Sequence, residues 1–143
     1  MQRIILVALF STLVILFTAA QRKPSQKGKG PDKATMERGK KVYDTYCLAC
    51  HQADGTGVPS MNPPLVKTKW VSGDKKKLIG IIVNGMNEEI EINGEVYSNA
   101  MPAHAHLSDQ QVADVLTFIR NNFNNKGSVV SASEVKTVRS ASK

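Results

Sequence analysis

Both cysteines of this 143-residue chain fall in one five-residue stretch, Cys47-Leu48-Ala49-Cys50-His51, and that stretch limits what the chain can build. Two cysteines cannot make a disulfide-rich scaffold. A lone structural disulfide between them leaves His51 without a purpose. A redox-active C-x-x-C pair calls for a βαβ setting, and the residues around 47–51 show no such alternation. A zinc site would need the adjacent Cys50 and His51 to reach one metal, which is unlike the usual spacing of zinc ligands.

The remaining chemistry is that of C-x-x-C-H. At the end of a helix, two thiols three positions apart point the same way. Each can form a thioether to one vinyl group of a haem, and the next residue supplies a neutral imidazole beneath the iron. Cys47 and Cys50 are the expected attachment points of one covalent haem c, and His51 the expected iron ligand. The aromatic supply fits a core completed by a cofactor. Of eight aromatic residues, Phe10 and Phe17 lie in an apolar N-terminal run, which leaves Tyr43, Tyr46, Trp70, Tyr97, Phe118 and Phe123.

Four segments are expected. Residues 1–20 have one positive residue, an apolar run from Ile4 to Phe17 and the small residues Thr18-Ala19-Ala20. They read as a signal peptide cleaved after Ala20, or as an uncleaved N-terminal anchor, and either way the rest is exported. Residues 21–32 are a flexible linker rich in Lys, Gly and Pro, residues 33–125 the folded domain, and residues 126–143 a polar C-terminal tail with room for one short helix from Ser131. The net charge of +7 lies in the ends: linker and tail carry +3 each and Arg3 the last, whereas 33–125 is neutral. No helix interleaves basic with aromatic residues, which speaks against nucleic-acid binding. Inside the domain Lys67, Lys69, Lys75, Lys76 and Lys77 form one charge block and Glu88, Glu89, Glu91 and Glu95 another.

The periodicity is mainly helical. A first helix is expected over about Lys33 to Leu48, capped by Asp32 or Thr35, and a second from about Asp74 to Gly85, with Leu78, Ile81 and Ile82 on its inner face and Ile79 as a further candidate for it. Ile90 to Tyr97 alternates about Asn93-Gly94, the signature of a two-residue hairpin. Ser108 with Gln111 makes a capping box for a third helix carrying Val112, Val115, Leu116, Ile119 and Phe123.

A haem iron takes a sixth ligand or keeps an open position. Met61 lies in a Pro-rich loop only ten residues after His51, and Met86 follows a helix stop. Met101, in Ala100-Met101-Pro102, is fifty residues after His51, far enough along the chain to reach around the haem. It is the expected sixth ligand, with His104 and His106 as alternatives. A thioether raises the potential and suits electron transfer.

Together these residues resemble a class I c-type cytochrome of bacterial type. The resemblance spans Lys33 to Asn125 and rests on Gly39-x-x-x-Tyr43, Cys47-x-x-Cys50-His51, Asp54-Gly55-x-Gly57, Pro63-Pro64-Leu65, Ala100-Met101-Pro102, and Leu107-Ser108-Asp109 leading into Val115 to Arg120. It implies an all-α fold with about three main helices around the haem, and a short β-hairpin before the methionine loop. It also implies a close crossing of first and last helices in which Gly39 and Tyr43 meet Val115 and Phe118. Pro63 would offer its carbonyl to His51, and Trp70 would either hydrogen-bond a haem propionate or simply form a wall. The hairpin resembles that of cytochrome domains accompanying quinoprotein dehydrogenases.

The implied function is that of a monohaem carrier of single electrons, not an enzyme, because six-coordinate iron has no open site. Its partners would be a donor dehydrogenase or quinol oxidase and an acceptor oxidase, in the periplasm or tethered to the membrane. Two alternatives stand beside it: a haem sensor or small-ligand-binding protein with a labile sixth ligand, and the cytochrome subunit of a dehydrogenase complex.

Overall fold

A computed structural model describes residues 30–141. The signal peptide or anchor expected at 1–20, and the linker up to residue 29, lie outside them. Six helices and one hairpin follow in chain order: α1 (Lys33–Tyr46), α2 (Leu48–His51), α3 (Lys69–Ser72), α4 (Lys75–Asn84), β1 (Ile90–Ile92), β2 (Glu95–Tyr97), α5 (Asp109–Asn121) and α6 (Ala132–Ala141).

The caps fall where the residue types predict. Asp32 starts α1 by accepting from Thr35 N at 2.8 Å. Asp74 starts α4 by accepting from Lys76 N at 2.7 Å, and Gly85 ends that helix at φ 76°. Ser108 and Gln111 close the capping box of α5, with bonds of 3.2 and 2.9 Å. The hairpin pairs Ile90 with Tyr97 and Ile92 with Glu95, and both turn residues take positive φ, 55° at Asn93 and 84° at Gly94.

The centre of the fold is the crossing of α1 on α5. A Cβ at Gly39 would run into the Asp114 carbonyl oxygen and come within 2.6 Å of Phe118 Cβ, so only glycine lets the helices touch. Asp114 and Phe118 supply the atoms nearest to this glycine. One turn on, the Tyr43 ring meets Phe118 and Phe123 at centroid distances of 5.5 and 5.2 Å. Arg38 forks onto buried Asp114 (2.6 and 3.1 Å), and Gln110 adds a third bond to that carboxylate at 2.9 Å.

Trp70 lies on the short α3, which Thr68, itself buried, caps by accepting from Val71 N at 3.1 Å. Two expectations change. The first helix ends at Tyr46, because the chain bends at Cys47 and α2 forms as a separate turn. And residues 126–141, expected as a polar tail with room for one short helix from Ser131, carry that helix and fold onto the core. Val135 of α6 is completely buried, Val130 N donates to the Thr117 hydroxyl at 2.9 Å, and Glu134 pairs with Lys75 of α4. The apolar positions of this stretch are too few for a visible helical stripe, so the contact is made by isolated valines. On α4, Ile79, Ile82 and Val83 are the buried residues, and Leu78 and Ile81 are only half-buried because they line a cavity.

Two stability tests follow from the packing. Gly39→Ala must prise α1 from α5 and is expected to lower stability by ~1–3 kcal/mol in a guanidinium titration of the haem-bearing protein. Val135→Ala is expected to cost ~1.5–3 kcal/mol in the same assay, whereas a solvated tail would show no loss.

Candidate haem site

The cysteine motif sits at the end of α1, where the crossing with α5 has fixed the chain. The amides of Cys50 and His51 both reach back to the Cys47 carbonyl (3.2 and 2.9 Å), which makes one tight turn. Positions three apart on such a turn share a side. The Tyr43 hydroxyl donates to the Gln52 carbonyl at 2.7 Å and holds the end of that turn to α1. Both thiols are free, Cys47 half-buried and Cys50 exposed. Burial, and secondarily the neighbouring Cys50, pushes the Cys47 thiol up to about 11.

His51 Nδ1 lies 2.9 Å from the Pro63 carbonyl oxygen, the contact expected of these two residues. Since a carbonyl only accepts, Nδ1 carries the proton and Nε2 keeps its lone pair. Burial lowers the pKa of the His51 imidazole, opposed by this hydrogen bond, which favours the neutral ring. Gly57 makes the approach possible. Its φ is 70°, and a Cβ there would meet the Asn62 carbonyl and stand 2.7 Å from Pro63 O. Its amide donates to the His51 carbonyl at 3.1 Å.

An apolar cleft opens beside the motif. Cys47, His51, Pro63, Trp70, Met86 and Met101 line it, with aliphatic residues of α4, the hairpin and α5. A second opening shares His51, Pro63, Met86 and Met101 and adds Cys50. An apolar cleft lined by Cys47, the His51 imidazole and the Met86 and Met101 thioethers, with Cys50 at the adjoining opening, fits a covalent haem. It does not fit zinc: among the described residues no three of His, Cys, Asp and Glu gather as they would around a metal ion.

The two methionines come together because the hairpin continues past its strands. Extending the register of Ile90 with Tyr97 outward pairs residue 86 with residue 101, and these two form an antiparallel bridge with N–H···O distances of 2.9 and 2.8 Å. Residue spacing alone had set Met86 aside. The Asn93-Gly94 turn was the signal that places it opposite Met101. Met101 packs on the main core, whereas Met86 packs on the hairpin cluster of Ile90, Ile92 and Tyr97. Met61 is half exposed and lines neither opening. His104 lines the main cavity too, its amide donating to the Ile82 carbonyl at 2.8 Å, and its ring stands with exposed His106 and Tyr46.

Trp70 is half-buried at the cavity wall against the hairpin cluster, with Lys77 Nζ 3.9 Å from its ring centroid. Buried Arg120 holds its helix in place by donating to the carbonyls of Val71 (2.6 Å) and Gly73 (3.1 Å).

Comparison with known proteins agrees with this geometry. The family model for cytochrome c matches residues 36–123. A Thermus thermophilus cytochrome c-552 is 32% identical over 110 residues, covering 71% of this chain and 83% of the relative. The cytochrome c subunit of a quinone-dependent alcohol dehydrogenase from Gluconobacter oxydans is 38% identical over 103 residues, and that of a gluconate 2-dehydrogenase from Pantoea cypripedii 33% identical over 128. The chain spans only 22% and 28% of those two subunits' lengths. Fold, cofactor chemistry and kinship agree, and the chain belongs to the cytochrome c family: it is a class I monohaem electron-transfer protein with covalently attached haem c.

Proposed function

We propose that the chain is an exported one-electron shuttle whose iron is held between His51 and Met101, with the haem bound through Cys47 and Cys50. The observation that carries this reading is the 2.9 Å contact of His51 Nδ1 with Pro63 O in a cavity that Met101 also lines. The haem supplies a one-electron iron couple, and the chain's own residues tune and enclose it. Pro63 keeps His51 in the tautomer whose Nε2 can ligate and raises its basicity. Gly57 leaves room for that carbonyl. Met101 supplies a weak thioether donor that raises the potential, and Met86 stays with the hairpin as a wall. Trp70 is the residue of the cavity wall suited to meet a haem propionate.

With His51 and Met101 both holding the iron, no site would stay open for a substrate, so the protein would carry electrons and perform no substrate chemistry. The apolar N-terminal run places it outside the cytoplasm, in the periplasm or tethered to the membrane. Among the described residues no helix is long and apolar enough to cross a membrane. The donor is a dehydrogenase or quinol oxidase and the acceptor an oxidase. Relatives named as cytochrome subunits of dehydrogenases, and a cbb3-type oxidase subunit from Azospirillum brasilense at 31% identity, support partners of these kinds. The dehydrogenase relatives also favour a second reading, a cytochrome docked permanently to its dehydrogenase. Copurification of a dehydrogenase in stoichiometric amount would select it over the free shuttle.

A pyridine haemochrome spectrum tests the attachment, with two thioethers expected. Met101→Ala is expected to leave a red, folded protein with a lower reduction potential and readier binding of cyanide or carbon monoxide. Met86→Ala is expected to keep the red-end absorption band of methionine-ligated iron. Loss of that band in Met86→Ala and its survival in Met101→Ala would exchange the two roles. Gly57→Ala is expected to lower stability by ~1–3 kcal/mol and, by weakening the Pro63 bond to His51, to raise the potential. An unchanged potential would show that this bond does not tune the iron.

A further inference from the structure

We propose that Arg139 of α6 is a positioning residue for the methionine loop, and that its grip on residues 105–109 sets how readily Met101 leaves the iron. This rests on ligation by Met101 as proposed above. Arg139 lies beyond the part of the chain that matches the family model, 36–123.

All three guanidinium nitrogens of Arg139 are engaged with one segment. Nη1 donates to the Ala105 carbonyl at 3.0 Å, Nη2 donates to the Leu107 carbonyl, and Nε pairs with Asp109 Oδ1 at 2.8 Å. Residues 102–108 join Met101 to α5 without regular structure of their own, and Asp109 is the first residue of α5. The start of the loop is fastened separately: Met101 is bridged to Met86, and His104 N is bonded to the Ile82 carbonyl. Arg139 fastens the end where the loop meets α5, beside buried Leu107 and the Ser108 cap. Its side chain is only 24% exposed, and a planar fork that reaches two carbonyls and a carboxylate at once holds a loop in a way a single ammonium cannot.

Arg139 is itself held by the core. Val135, one helical turn earlier on α6, is fully buried, and Glu134 pairs with Lys75. The clamp therefore ties the methionine loop to the same body that carries α4. A thioether is a weak iron ligand, so the fraction of time it spends detached depends on how strongly the surrounding loop favours the attached conformation. Loosening one end of the loop raises the detached population, and an external ligand then finds the vacated position more often.

The experiment uses the full-length haem-bearing protein and measures the rate of cyanide binding to the ferric form together with the reduction potential. Arg139→Ala is expected to raise that rate roughly tenfold, as loss of charge-assisted bonds to the loop would, and to lower the potential, with the haem still attached. Arg139→Lys keeps the pairing with Asp109 but not the fork, and is expected to fall between the two. Asp109→Asn removes one of the three contacts and is expected to give a smaller rise, which keeps the test open if Arg139→Ala does not fold. Arg38→Ala is the control for stability alone, because it breaks the α1–α5 ion pair without touching the loop. It is expected to leave the cyanide rate unchanged. A wild-type rate and potential in Arg139→Ala, or an equal change in Arg38→Ala, would overturn the proposal. Met101→Ala measured alongside separates the two readings. If it leaves the cyanide rate unchanged, ligation by Met101 fails. If it raises the rate while Arg139→Ala does not, ligation stands and the clamp alone fails.

Discussion

The close contact of α1 with α5 at Gly39 is the constraint from which the rest of the structure extends. Where a glycine lies on the Asp114 carbonyl, two helices approach to backbone contact, and the Tyr43, Phe118 and Phe123 rings close over the next turn. These three are half of the aromatic residues outside the N-terminal run. The apolar area they bury stabilises the crossing, and the crossing sets where the cysteine motif stands. The Tyr43 hydroxyl carries this placement past the motif by bonding to the Gln52 carbonyl. The turn that carries Cys47, Cys50 and His51 is thereby fastened to α1.

The loops around the haem cleft are held by polar side chains, buried at Thr117 and Arg120 and half-buried at Asn125, because the chain has few large apolar residues to spare for them. Arg120 bonds to carbonyls of α3 and of Ser128. Asn125 donates to the carbonyls of Leu65 and Ile119 and accepts from Lys67 N. Thr117 exchanges bonds with Val130 in both directions. A buried polar group is costly unless bonded, and among the described residues no buried side-chain nitrogen or oxygen is left without a partner. Such anchors are directional, so they fix loops where apolar contact would only collect them. The cavity walls remain apolar as a result.

The hairpin has a geometric part in this design. Its two-residue turn sets a register that runs on to bring Met86 and Met101 side by side. Its inner residues Ile90, Ile92 and Tyr97 meet Trp70 and Met86, and Glu95 reaches across to the amide and hydroxyl of Ser60 at 2.7 and 3.0 Å. The hairpin thus joins the segment that delivers the thioethers to the loop preceding Pro63. It spans the cleft instead of merely decorating it.

Much of the site was legible in the residues because its chemistry depends on local spacing. Cys47, Cys50 and His51 must lie on one helical turn, and three side chains on one turn can be read from five letters. The Asp32, Asp74 and Ser108 caps and the Asn93-Gly94 turn are equally local, since each is satisfied by an amide or a φ within a few residues. The tertiary structure alone decided what depends on distant backbone: that Gly39 meets Asp114, that Gly57 yields space to Pro63, that Met86 shares the cavity with Met101, and that residues 126–141 pack on the core. Those contacts join residues from a few to some seventy-five positions apart, and most use a carbonyl oxygen, a group every residue carries. A carbonyl leaves no mark in composition or periodicity, so only the folded chain could show which ones Arg120 and Arg139 would find.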